Sequence, residues 1–113
     1  MKIIEDKISL SELKQMAAGL FGDMIKAVVD IDGERIALNA ELHSDLEALL
    51  LEDGSKQKYL WGINLYPDLP GNDFIEFDSM INMRPSQNNR SRGIEDENIR
   101  KKIIVIVNKI IKK

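Results

Sequence analysis

Cysteine is absent from this 113-residue chain, which excludes disulfide bonds and cysteine-based zinc sites. The single histidine, His43, is too few for a multi-histidine metal site and is more typical of a structural or surface role. No apolar run approaches the roughly 18 residues that a membrane helix needs, and the N-terminus MKIIEDKISL lacks the apolar core of a signal peptide. We therefore expect a cytoplasmic protein with no membrane contact, no metal and no cofactor.

Aromatic residues are also scarce, at 5% of the chain. With Trp61 as the one tryptophan, the chain lacks the stacking surface that a single-strand nucleic-acid binder needs. Phosphate-binding glycine motifs are missing as well. What is present is a hydrophobic fraction of 43% and a charged fraction of 31%, which is typical of a globular protein. The length predicts a single domain over residues 1–113.

The net charge of −3 hides an uneven distribution. Residues 1–83 carry 7 Lys and Arg against 16 Asp and Glu, whereas residues 84–113 carry 9 basic and 3 acidic residues. A basic segment of this kind can contact an acidic partner or the protein's own acidic body. Because the whole chain is acidic, contact with its own body is the interpretation that we favour.

Hydrophobic periodicity predicts an α+β fold in the order β-α-β-β-α-β-β-α. A short first strand precedes a helix that begins at Ser9, with Glu12 at capping-box spacing. Alternating residues on either side of Asp32-Gly33 predict a hairpin. A second helix is expected at about 42–53, strands at 59–66 and 74–84, and a last helix at about 95–111. The expected sheet is mostly antiparallel, with four or five strands and the three helices over one face.

Two of these strands would carry a polar face. If strands 59–66 and 74–84 pair, Asn64, Glu76, Asp78, Asn82 and Arg84 lie on one surface, and Tyr66 on the same side favours a pocket. Carboxylates beside an arginine can bind a metal or act as acid and base. The solvated side of a half-covered sheet also alternates in this way without any function.

A loop with three arginines follows, at Arg84, Arg90 and Arg92. Guanidinium groups bind phosphate and carboxylate bidentately, and the loop leads into a helix N-terminus. The acids at 95–97 would repel a phosphate there and can pair with the arginines instead. A phosphorylated ligand, a protein contact and an internally paired loop therefore all stay open.

Two further features concern metal binding and self-association. Asp30-x-Asp32-Gly33 is similar to the start of a calcium loop, but the later ligands are absent and the hairpin turn explains the motif. The last helix has wider apolar coverage than one core face needs, because Ile104, Val105 and Ile111 lie beside or opposite its main stripe. A contiguous exposed set of this kind would indicate homodimerisation.

Three segments carry a resemblance to a known family: 61–67 (WGINLYP), 74–82 (FIEFDSMIN) and 90–93 (RSRG). In these segments the chain resembles an uncharacterised family of small single-domain prokaryotic proteins, a domain of unknown function. The resemblance extends over nearly the whole sequence and implies no catalytic or binding residues.

Three functional hypotheses follow from the sequence. The first is a small non-enzymatic interaction module that self-associates through the C-terminal helix. The second is a binder of nucleic acid or a phosphorylated ligand through Arg84, Arg90 and Arg92. The third is an enzyme that uses the polar face with Glu76, Asp78 and Arg84.

Overall fold

The architecture of the chain is a five-stranded antiparallel sheet with helices on both faces. The computed structural model describes residues 1–113. Strands β1 (Lys2–Ile4), β3 (Ile25–Asp30), β4 (Arg35–Leu38), β5 (Leu60–Leu65) and β6 (Ile75–Glu76) form the sheet, in the order β1-β4-β3-β5-β6. The helices are α1 (Leu10–Ala18), α2 (His43–Glu52) and α3 (Glu97–Ile110). The α+β class and the three helices are confirmed.

A second, two-stranded parallel sheet joins β2 (Ile8–Ser9) to β7 (Ile111–Lys112). These strands were not predicted, because two-residue strands are too short to show a period of two. The pairing ends α3 at Ile110, and Ile111 is buried rather than exposed. Of the aliphatic residues outside the main stripe of α3, Ile104 and Val105 remain exposed. No helix of the protein has the length and apolar composition to cross a membrane.

The prediction that all helices cover one face is wrong. Alternate residues of β3, β4 and β5 point to opposite faces, and both sets are buried. The larger core packs α1 and α3 against residues such as Val29, Ile36 and Ile63. A smaller core packs Leu46 and Leu50 of α2 against the other face. The central strands are therefore covered on both sides, and the polar cleft described below lies beside α2.

Local signals for the first helix and the hairpin are confirmed. The Glu12 amide donates to Ser9 Oγ at 3.1 Å, so Ser9 caps α1 as the capping-box spacing predicts. The hairpin is closed by the pair Asp30 and Arg35. Its left-handed residue is Glu34, at φ 52°, rather than Gly33. Asp30 Oδ1 accepts from the amides of Asp32 and Gly33, which holds the turn.

The predicted strand over 74–84 is wrong beyond its first residues. Strand β6 ends at Glu76, and short 3₁₀ turns follow at Met80–Asn82 and Pro85–Gln87. The reason lies opposite Gly62, whose amide donates to Asn82 Oδ1 at 2.8 Å and whose carbonyl accepts from Asn82 Nδ2 at 2.9 Å. A side-chain amide thus satisfies the edge of β5 where a continuing strand would pair.

Candidate functional site

A polar cleft of about 490 Å³ lies between the first turn of α2 and strands β3, β5 and β6 of the sheet, and we call it the α2 cleft. Its volume is in the range of about 300–1,000 Å³ that is usual for small-molecule sites. Both charged and apolar side chains line it: Met24, Lys26, Leu42, His43, Ser44, Asn64, Tyr66, Glu76, Asp78, Ser79, Met80, Ile81 and Arg92.

The floor of the α2 cleft is a row of polar residues across three strands. Lys26 of β3 lies opposite Asn64 of β5, and Asn64 lies opposite Glu76 of β6. Tyr66 donates from its hydroxyl to Glu76 Oε1 at 3.0 Å. Burial and this contact with the carboxylate raise the pKa of Tyr66, which keeps the phenol protonated. The predicted Tyr66 pocket is therefore present on this face.

Asn64 has a buried acceptor with no partner inside the protein. Its Nδ2 donates to Glu76 Oε1 at 2.8 Å and to the carbonyl of Asp78 at 3.3 Å. Because both partners are acceptors, the amide cannot be flipped, and Oδ1 is the atom left without a hydrogen bond. Such an atom costs about 1–3 kcal/mol of desolvation unless a ligand or water donates to it.

His43, at the first position of α2, is buried with one ring nitrogen bonded to the sheet. Its Nε2 lies 2.8 Å from the carbonyl of Ile63. A carbonyl can only accept, so Nε2 carries the proton and Nδ1 is an acceptor in the neutral ring. Burial lowers the pKa of His43 despite the raising effect of the Ile63 carbonyl. The charge of Lys26 lowers the pKa further, that of Asp78 raises it and that of Arg92 lowers it, so all three charged groups act on this helix turn.

Arg92 and Asp78 form the ion pair at the side of the cleft. Arg92 Nε donates to Asp78 Oδ1 at 2.8 Å, and both side chains are partly exposed. The pair holds the guanidinium through Nε, whereas its terminal nitrogens make no hydrogen bond within the protein. Those nitrogens are the ones that bind carboxylate or phosphate bidentately. Of the predicted residues, Glu76, Asp78 and Arg92 therefore share one site.

Arg84 does not line the α2 cleft but is buried beneath α2. Its guanidinium donates to the carbonyls of Ile81, Gln57 and Leu60 at 3.0, 2.9 and 2.5 Å. Nη2 also lies 3.3 Å from Glu47 Oε2. Burial lowers the pKa of Arg84, and the Glu47 carboxylate opposes this effect. Its donors are thus committed to the protein itself.

Asn82 is fully buried, and it too serves the backbone. Besides its two bonds to Gly62, its Nδ2 donates to the carbonyl of Arg92 at 3.0 Å. These contacts join the middle of β5 to the arginine loop, residues 84–93. Asn82 therefore lies behind the α2 cleft and does not line it.

The arginine loop is held mainly by residues other than its arginines. Glu95 accepts from the backbone amides of Arg90 and Ser91 at 2.5 and 3.1 Å, which lowers the pKa of Glu95. Asn89, which is buried, donates to the carbonyls of Asn82 and Gly93 at 2.6 and 2.8 Å. The side chain of Arg90 stays exposed. The three arginines thus lie in three different environments and do not form one anion site.

A second charged cluster lies at the hairpin end, around Arg35. Its guanidinium pairs with Asp53 and Glu5, and Ser55 Oγ donates to Asp30 Oδ2 at 2.6 Å. The carboxylates of this turn are bound to amides, a hydroxyl and a guanidinium. No group of three or more metal-ligating side chains is present in the protein.

Comparison with known proteins gives the family. A match to the family described as "Protein of unknown function (DUF5674)" covers residues 2–110. The chain belongs to this family. No curated protein and no solved structure matches the chain.

Sequence reasoning missed how much His43 and Lys26 contribute to the site. Lys26 stands out only as the one basic residue in a strand of mostly apolar ones. His43 directly follows the helix N-cap residue, Leu42, which provides no side-chain cap. The available signal for His43 was its position at a helix start without a capping side chain, two residues after the exposed acid Glu41. Self-association through α3 stays a prediction.

Proposed function

We propose that this family member is a non-enzymatic recognition module whose binding surface is the α2 cleft. The observation that carries the proposal is the buried Asn64 Oδ1, which has no donor within the chain. Buried polar atoms are nearly always satisfied by the protein, by ordered water or by a ligand. Two such atoms have no partner here, Trp61 Nε1 in the core and Asn64 Oδ1, and of these two residues Asn64 is the one that lines the cleft, which favours a ligand or partner that supplies a donor to it. The prediction of an interaction module from the sequence is retained, with the contact surface moved from α3 to the cleft.

Preorganisation of the cleft supports recognition. Asn64 and Tyr66 both donate to Glu76, and Arg92 is oriented by Asp78. Side chains held in this way lose little conformational entropy when a ligand binds. His43 is likewise fixed by the Ile63 carbonyl.

The arginine loop gives less support to a nucleic-acid function. Arg84 is 9% exposed and engaged by three carbonyls, so at most Arg90 and Arg92 are left for phosphates. Asp78 also reduces the charge that Arg92 offers. Salt-dependent binding to DNA or RNA scales with the number of phosphates contacted, and two arginines provide few.

An NMR screen tests the proposal. The ¹⁵N-labelled protein is mixed with pools of amino acids, short peptides, organic acids, sugars and nucleotides, and backbone amide shifts are followed. We expect saturable shifts confined to residues 42–44, 64–66, 76–81 and 92. Arg92→Gln should weaken binding, whereas Arg90→Gln, which removes the same charge from the same loop outside the cleft, should not. Shifts that map to another surface, or binding unaffected by Arg92→Gln, would contradict the assignment.

A further inference from the structure

The charges that line the α2 cleft cancel. Lys26 and Arg92 contribute two positive charges, and Glu76 and Asp78 contribute two negative ones, while His43 is neutral. A polyanion gains little from such a surface, whereas a ligand with no net charge and two opposite ends matches it. Building on the proposed function, we infer that the ligand is a free amino acid with an apolar side chain, bound as a zwitterion.

The carboxylate end has a defined place at the first turn of α2. Residues 42–44 line the cleft, and the N-cap residue Leu42 provides no side-chain acceptor to the amides of this turn. Free amides at a helix N-terminus bind anions. The Asp45 amide donates to the Leu42 carbonyl at 3.2 Å, so the amides of His43 and Ser44 are the ones left for a carboxylate, and the Asp45 carboxylate in the same turn weakens the attraction for a multiply charged anion. Lys26 and Arg92 line the cleft together with this turn, and Asp78 neutralises part of the Arg92 charge through its ion pair. The terminal nitrogens of Arg92 complete a carboxylate site.

The ammonium end has two open acceptors, His43 Nδ1 and Glu76 Oε2, and a third, Asn64 Oδ1, which a ligand reaches only when the groups that cover it move. Asn64 Oδ1 is buried without a donor, and His43 Nδ1 is an acceptor because Nε2 is held by Ile63. Glu76 binds Asn64 and Tyr66 through Oε1, which leaves Oε2 free of bonds within the chain. An ammonium group has three donors and no acceptor, which matches this set.

The cleft also has an apolar wall. Leu42 and Met80 are 55% and 64% exposed, and Met24 and Ile81 are half-buried beside them. Large exposed apolar side chains next to a polar floor are typical of a ligand site. Methionine adapts its shape, so the wall fits several apolar side chains of similar size. Leucine, isoleucine, methionine and phenylalanine are the ligands that we expect.

The experiment is a titration of the ¹⁵N-labelled protein with L-leucine, followed by N-acetyl-L-leucine and L-leucinamide. The two derivatives remove the ammonium and the carboxylate charge, and they represent the C-terminus and the N-terminus of a peptide. We expect saturable shifts at Ser44, Arg92 and the Asn64 side-chain amide with L-leucine, and dissociation constants about tenfold or more higher for each derivative. Arg92→Gln should raise the dissociation constant for L-leucine about tenfold, and Arg90→Gln should leave it unchanged.

The failures of the two proposals are distinguishable. If N-acetyl-L-leucine binds as well as L-leucine, the cleft recognises a carboxylate alone, and the zwitterion inference is overturned while the cleft remains a binding site. The same holds if none of the four apolar amino acids shifts the cleft amides but a nucleotide or sugar does. If no compound of the wider screen shifts them, both proposals fail.

Discussion

The guanidinium of Arg84 lies against the indole ring of Trp61, 4.8 Å from its centroid, and joins three carbonyls from different segments. Stacking of this kind and four hydrogen bonds from the guanidinium make Arg84 a cross-link between α2, β5 and the arginine loop. The most conspicuous arginine of the sequence therefore supports the fold.

Replacing Arg84 should destabilise the protein strongly. Arg84→Met leaves the Glu47 carboxylate and three carbonyls without their donor, and we expect a loss of about 2–4 kcal/mol in the free energy of unfolding. Arg84→Lys should also be destabilising, because an ammonium group cannot reproduce the planar fork. Urea unfolding followed by Trp61 fluorescence measures both. Arg90→Met is the control and should change the value by less than about 0.5 kcal/mol. Equal stability of the Arg84 and Arg90 variants would refute the structural role.

The contacts of Ser9 could be predicted from the sequence, whereas those of Arg84 could not. The Ser9 cap and the Asp32-Gly33 hairpin were predictable, because their contacts lie within a few residues along the chain. The bond from Arg84 to Leu60 and the pairing of Asn82 with Gly62 join segments about 20 residues apart. The alternation of apolar and polar residues predicted that Asn82 and Arg84 lie in a strand. No local sequence signal indicates that the side chain of Asn82, instead of a strand backbone, bonds to Gly62.

The same limit applies to the candidate site. Glu76 and Asp78 were predicted on one polar face with Asn64, and the structure places all three beside the α2 cleft. His43 reaches this cleft because α2 covers the second face of the sheet. That packing depends on which core each apolar residue joins, which periodicity does not determine.

A close approach between Gly62 and Ser79 gives a second stability prediction. A Cβ atom at Gly62 would lie 2.5 Å from Ser79 Cβ and 2.6 Å from Ser79 Oγ. Gly62→Ala should therefore cost about 1–3 kcal/mol in unfolding free energy through overpacking. Ser79→Gly should recover part of this loss in the double variant. Additive effects of the two substitutions in a double-mutant cycle would show that the contact does not limit the packing.

Protonation of His43 should couple stability to pH. The pKa of His43 in the folded state is lowered by burial, so the unfolded chain binds its proton more readily. The contribution of the neutral ring to stability is fully present above the unfolded pKa of about 6.5 and is lost as the pH falls below it. We expect the unfolding free energy of the wild type, measured relative to His43→Gln, to decrease between pH 7.5 and 5. A pH-independent difference would mean that His43 titrates normally.

The final prediction concerns the tether between Glu95 and the arginine loop. Its carboxylate accepts from the amides of Arg90 and Ser91, and these bonds lower the pKa of Glu95. Glu95→Ala should speed hydrogen exchange of those two amides several-fold, because local opening no longer breaks a hydrogen bond to the carboxylate. Glu97→Ala, which removes an exposed acid from the first turn of α3, is the matched control. Because the pKa of Glu95 is lowered, its carboxylate is protonated only at acidic pH, and the bonds to the two amides are then lost. We therefore expect protection of these amides, measured relative to their intrinsic exchange rates, to decrease on acidification in the wild type but not in Glu95→Ala. Unchanged exchange in Glu95→Ala would show that Asn89 alone holds the loop through its bonds to Asn82 and Gly93.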